Sequence, residues 1–223
     1  MSQPPSLLDA EGHASIATGV MMSHHAFRRD LALFEGALAR IESGDTSRVS
    51  PVREEWNQFH VHLHGHHTAE DTGIFPSLTA EHAALAPIIA KLADDHHQLE
   101  QVLVRGDEAF AALPDIASAR AVVTDLVQLL DQHLALEEAE IIPFLRHSAS
   151  FAPGSEEELA MYAEGFAWSA RGIADDIVET VFATLPTNLR ERLPAARAAF
   201  EQRSTRTWGA TEPTRSRTPI PGR

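Results

Sequence analysis

Apolar positions recur at helical spacing along most of the chain. In "ATGVMMSHHAFRRDLALFEGALARI" (Ala17 to Ile41), Val20, His24, Phe27, Leu31 and Phe34 fall on one stripe, the pattern of a helix that buries one face. "SGDTSRVSP" follows as a polar stop and loop, and its proline suits the first turn of the next helix. A second helix is expected from about Val52 to Asp71, with Trp56, Phe59 and Leu63 on its packing stripe. A third is expected from Pro87 to Leu113 and, past the break at Pro114, a fourth from about Ile116 to Ile142. No segment combines period-two alternation with β-branched enrichment, so no sheet is expected. Four helices with short connections predict an all-α fold, an antiparallel four-helix bundle with a C-terminal helical extension. The extension, from residue 155 to about 208, reads as two or three helices broken near Pro186 and Pro194. The expected division is an N-terminal tail (1–12), the bundle (13–150), the extension (151–208) and a flexible tail (209–223) rich in Pro, Thr and Arg.

Composition narrows the classes of function. With 223 residues, 43% of them hydrophobic, the chain can bury a sizeable core. A formal net charge of −14 argues against a nucleic-acid-binding surface. No apolar run reaches the length of a membrane span, and the N-terminus lacks the basic start and apolar centre of a signal peptide, so a cytoplasmic location is expected. The absence of cysteine removes disulfides, thiolate zinc sites and Cys-ligated iron–sulfur clusters. Lys91 is the only lysine, which we read as a compositional bias. A nucleophile elbow, a phosphate loop and a basic face are all lacking, so neither hydrolase nor nucleic-acid chemistry has support.

Histidine changes the picture. There are 13, five of them between His60 and His67. "HGHHTAEDTGIFP" crowds three histidines and two carboxylates into its first eight residues, and its partner lies 67 residues on. "HHTAEDTGIFPSL" (His66 to Leu78) superposes on "HLALEEAEIIPFL" (His133 to Leu145), giving H-x-x-x-E-[DE]-x-x-I-x-P-x-L. "SHHAFRRDL" (Ser23 to Leu31) and "DHHQLEQVL" (Asp95 to Leu103) likewise share H-H-x-[FL]-x-x-x-L. Residues four apart on a helix are neighbours, so each His–Glu pair can serve one metal or two adjacent ones. One helix cannot encircle a cation, whereas four helices around a common axis can. His24, His66, Glu70, His96, His133 and Glu137 together supply four imidazoles and two carboxylates. Such a set suits Fe, Zn or Cu better than Mg or Ca, and two bridging glutamates suit a dinuclear centre with coordination positions left for a small ligand.

The order H … HxxxE … H … HxxxE, with "IFP" and "IIP" after the two HxxxE pairs, resembles the hemerythrin-like (HHE cation-binding) family over roughly residues 13–150. The resemblance implies a four-helix bundle around two iron ions, oxo- or hydroxo-bridged, that bind or react with dioxygen, hydrogen peroxide or nitric oxide. It carries Glu70, Glu137, His66 and His133 over as metal residues. On the first and third helices His24 and His96 are chosen as the earlier member of each HH pair, with Phe27 and Leu99 one turn further along the same face; His25 and His97 are the alternatives. His67, beside His66, is either an additional ligand or a supporting or solvent-facing residue. Asp71 and Glu138 read as acceptors behind the ligands or as solvent-facing carboxylates. His60, His62 and His64 read as surface residues, and Tyr162 as ordinary helix packing.

The respiratory hemerythrins carry HxxxH on the third helix and an aspartate five residues after the fourth-helix histidine. Here those positions hold His96 with Glu100, and His133 with Glu138, so reversible oxygen carriage does not transfer. The leading expectation is a di-iron protein that binds or reacts with dioxygen or peroxide, including catalase-like peroxide disproportionation. The alternative is a non-enzymatic sensor or store of oxygen, nitric oxide or iron, and a structural zinc or manganese protein is a third class.

Overall fold

The structure, a computed structural model, describes residues 7–9, 11–146 and 154–209. The expected tail after Gly209, most of the expected N-terminal tail and His147 lie outside the described residues. Among the described residues the chain is helical, with no strand beyond an isolated bridge between Leu8 and Ala14. None of the described helices is long and apolar enough to cross a membrane. The described residues form two compact units: one from those up to Arg29 with those between Ile142 and Thr205 and Gly209, the other from Asp30–Ile141 with Arg206–Trp208. The first helix, α1 (Ile16–Glu42), contributes to both.

The second unit is the helical bundle. Besides the end of α1 it holds α2 (Val49–Ala69), α3 (Phe75–Glu81), α4 (Ala86–Ala111) and α5 (Ala117–Glu140). Helix α4 packs on both α2 and α5, and each pairing is antiparallel. Arg53 near the start of α2 donates to the carbonyls of Phe110, Ala111 and Leu113 at the end of α4, while Asp71 at the far end of α2 meets His96. Arg105 pairs with Asp125 and Asp95 approaches His133 on α5. Helix α1 joins through Phe34, whose ring meets Trp56, Phe59, Phe110 and Trp208 at centroid distances of 5.2–5.8 Å.

Trp56 is the centre of this aromatic core. Its indole stacks on Phe110 at 4.2 Å and donates to Asp107 Oδ1 at 2.9 Å. Gly106 on α4 makes the fit possible, since a Cβ there would lie 1.9 Å from the Trp56 ring. Edge-to-face and offset aromatic pairs of this kind add to the area they bury.

The helical path after α2 departs from the expected end at Asp71. It runs on through a π-helical turn, Glu70–Ile74, into α3, and the Phe75 N–H bonds back to the Glu70 carbonyl. Pro76 explains the departure. A proline inside a helix lacks an N–H and its ring crowds the carbonyl four residues back, here that of Thr72; a widened turn relieves the crowding without breaking the helix. In the second copy of the motif the same strain is met by a break: α5 ends at Glu140, Ile141 forms a turn, and the short α6 (Ile142–Leu145) carries Pro143.

The first unit combines the start of α1 with α6 and the C-terminal helices. Here the expected two or three helices become four among the described residues: α7 (Glu156–Ala170), α8 (Asp175–Ala183), α9 (Thr187–Arg190) and α10 (Leu193–Trp208). The additional break follows α7, where Gly172 takes φ 86°, a conformation other residues resist. Ser155 opens α7 with a capping box closed by Glu158. Arg29 of α1, 1% exposed, anchors this unit by donating to the Trp168 and Arg171 carbonyls at 2.8 and 2.9 Å, and Phe27 meets Trp168 edge-on at 5.1 Å.

Candidate metal centre

The site grows out of helix register. His66, His67 and Glu70 span one turn at the end of α2, His96 lies on α4, and His133 and Glu137 are one turn apart on α5. Each sits on hydrogen-bonded helical backbone, so the side chains start from fixed positions. Within the bundle unit they converge as two groups. His67, His96 and His133 are buried, and each offers a ring nitrogen within 4.8 Å of the others. Their rings approach to 4.0 Å (His67–His96), 4.8 Å (His96–His133) and 5.5 Å (His67–His133). His66, Glu70 and Glu137 form the second group by the same measure.

Glu70 joins the groups. Its Oε1 lies 3.1 Å from His66 Nε2 and its Oε2 3.4 Å from His96 Nε2. The chemistry of His96 makes the second distance informative. Asp71 Oδ1 sits 2.9 Å from His96 Nδ1, and a carboxylate only accepts, so Nδ1 carries the proton and Nε2 turns a lone pair toward Glu70. Both Glu70 oxygens are buried and neither accepts a hydrogen bond of good geometry. Acceptors facing one another in a dry interior are costly unless a cation or a shared proton lies between them. Burial first, and the neighbouring Glu137 and Asp71 carboxyls after it, push the Glu70 carboxyl well above the usual carboxylate range.

Supporting residues surround the ligand atoms. Phe75, the first residue of α3, stacks over His96 at 5.7 Å and shields it. Asp95 Oδ2 lies 3.9 Å from His133 Nδ1, and Lys91 holds Asp95 at 2.7 Å. His133 Nε2 and Glu137 Oε2 stand 3.9 Å apart, both essentially inaccessible. Imidazoles and carboxylates of this kind fit a metal that takes mixed nitrogen and oxygen ligands.

Six of the residues singled out in the sequence therefore come together in the bundle unit: His66, His67, Glu70, His96, His133 and Glu137. His24 is fully buried on α1, in the unit formed by the start of that helix. Its neighbour His25 is also buried and donates from Nε2 to the Arg171 carbonyl at 2.8 Å, a contact that anchors α7. His97 is exposed and donates to the Ala93 carbonyl of its own helix. Sequence reading passed over Asp95 and the π-turn. Asp95 has a faint signal, its place one residue before His96 with Lys91 four residues earlier; the turn has one in the proline six residues beyond Glu70.

Comparison with known families matches residues 15–145 to the family described as the Hemerythrin HHE cation binding domain. No curated protein and no solved structure matches the chain. With the match covering more than half of the chain and all seven of the singled-out residues, the protein belongs to the hemerythrin HHE cation-binding family.

Proposed function

We propose that the chain is a non-haem di-iron protein that binds or reacts with dioxygen or hydrogen peroxide. The observation that carries this reading is the Glu70 carboxylate, with one oxygen turned to His66 and the other to His96, each in a different ligand group. In the proposed assignment His66, His67, Glu70, His96, His133 and Glu137 would hold the metal, and His24 is carried over from the sequence motif. The four-imidazole, two-carboxylate set first read from the sequence supports the assignment, and His67 extends it. The iron pair would supply the redox change that dioxygen or peroxide chemistry needs.

The chain's own residues do the rest. Asp71 keeps the His96 proton on Nδ1, which leaves Nε2 as the donor atom, and a carboxylate behind an imidazole also raises its basicity. Phe75 keeps water from the His96 face, and the buried Glu70 and Glu137 offset the charge of bound cations. The acidic balance of the whole chain supports a freely dissolved protein.

The test is elemental analysis of protein purified without added metal, with absorption spectra before and after dithionite, air and peroxide. We expect about two irons per chain and ferric bands that bleach on reduction and return with the oxidant. Oxygen evolution on peroxide addition would make the protein catalase-like; spectral change without turnover would make it a sensor or store of oxygen, nitric oxide or iron. A colourless protein carrying zinc or manganese would overturn the iron reading.

A further inference from the structure

Beyond the buried groups, a second set of imidazoles and carboxylates runs along the same two helices. His60, His64, His67 and Asp71 recur every three or four residues and so share one face of α2 and the turn that follows it. Asp107, Glu100 and His96 share the facing stripe of α4, and the two stripes pair rung by rung. His60 Nδ1 meets Asp107 Oδ1 at 2.9 Å, His64 Nδ1 meets Glu100 Oε2 at 3.0 Å, and His67 stacks on His96. The inner rungs belong to the buried centre. The outer two are open: the side chains of His60, Glu100 and His64 are 21%, 40% and 59% exposed.

We infer that His60, His64 and Glu100 form a separate, exposed binding site for a borderline divalent cation such as zinc. His60 is already poised for it. Asp107 Oδ1 accepts from both the Trp56 indole and His60 Nδ1, which fixes the imidazole proton on Nδ1 and leaves the Nε2 lone pair as a ligand. That Nε2 lies 3.8 Å from Glu100 Oε1. A cation about 2 Å from each ligand atom holds two of them roughly 3–4 Å apart, so the pair needs little adjustment. His64, four residues on and mostly in water, supplies the third ligand by a turn of its ring, its neighbour ring lying 6.4 Å away. Water completes the shell. At 1.5 Å per residue the midpoint of His60 and His64 lies roughly 7–8 Å along α2 from His67, enough for both sites to be filled together. The site stands independently of which metal occupies the buried centre.

The test uses the protein with its resident metal in place. Zinc chloride is titrated into it by calorimetry, and the metal content is measured before and after. About one further zinc per chain is expected, with the resident metal unchanged. The double substitution His60→Gln with His64→Gln should abolish that uptake, and Asp107→Asn should weaken it by about tenfold. His97→Gln, an exposed imidazole elsewhere on α4, should leave it intact. If the double variant does not fold, His64→Gln alone serves, because that ring is mostly solvated. Absence of extra zinc, equally tight uptake by the histidine variant, or uptake matched by loss of resident metal would each overturn the inference.

Discussion

Burial and the adjacent carboxyls push the Glu70 carboxyl well above the usual carboxylate range in the metal-free chain, and that has a consequence of definite sign. A carboxyl whose pKa is raised by folding contributes most below its unfolded value, about 4.3, and the contribution is lost as pH rises through the raised value. The metal-free protein should therefore melt at lower temperature as pH rises through that window. Glu70→Gln, which needs no proton, should flatten this dependence and melt higher than the parent at neutral pH, while failing to retain metal. Melting curves of both proteins from pH 4 to pH 8 check this; parallel curves would remove Glu70 as the cause. Behind the ligands, Asp71→Ala frees the His96 ring and should weaken metal binding by roughly 10–100-fold with little effect on folding, because the Asp71 side chain is 36% exposed and lies at the rim of the site. A competition titration with a chelator measures it. His67 shows why residue-level reading of the sequence stopped short. Adjacent helical residues point about 100° apart, so the choice between His66 and His67 depends on what each meets across the bundle. His67 meets His96 and His133, and His66 meets Glu70.

At the scale of elements, periodicity and proline made α1, α2, α4 and α5 readable to within a few residues, because each buries a continuous apolar stripe. The turns were harder. A π-turn leaves apolar spacing almost unaltered, and Gly172 ends α7 through a backbone angle that composition alone does not announce. The repeat at offset 67 was readable because both copies must present His and Glu one turn apart. Their different continuations, a π-turn after Glu70 and a break after Glu140, depend on packing instead. The α2–α4 contact offers a sharp element-level test. Gly106→Ala would drive a methyl into the Trp56 indole, and since that ring is wedged against Phe110 and Phe34 it cannot step aside. We expect a loss of about 1–3 kcal/mol, measured by denaturant unfolding, with m unchanged. Gly106→Ser should be at least as harmful.

At the scale of the molecule, one helix serves two compact units. The end of α1 carries Phe34 into the aromatic core of the bundle, and its start carries Arg29 into the C-terminal helices. Arg29→Met keeps much of the volume but strands the Trp168 carbonyl, a cost of roughly 1–3 kcal/mol for a buried acceptor left unmet, while His25 still donates to the Arg171 carbonyl. Thermal melts should show the loss in metal-free and loaded protein alike, in contrast to Glu70→Gln, whose effect is tied to the metal.

The buried guanidinium of Arg29 also bears on how such a chain can be shortened over evolutionary time. Its counterpart is a pair of carbonyls at the end of α7, and Trp208, near the last described residue, packs edge-on against the ring of Phe34. A gene cut after α6 would leave an arginine stem and Phe27 facing water on one unit and an opening beside Phe34 in the other. Relatives that end after the fourth bundle helix should therefore carry a surface-compatible residue where this chain has Arg29, and a bulkier filler beside the position of Phe34. A lineage that gains or loses the C-terminal helices must change those positions in step, so the two ends of the sequence are expected to covary although more than a hundred residues separate them.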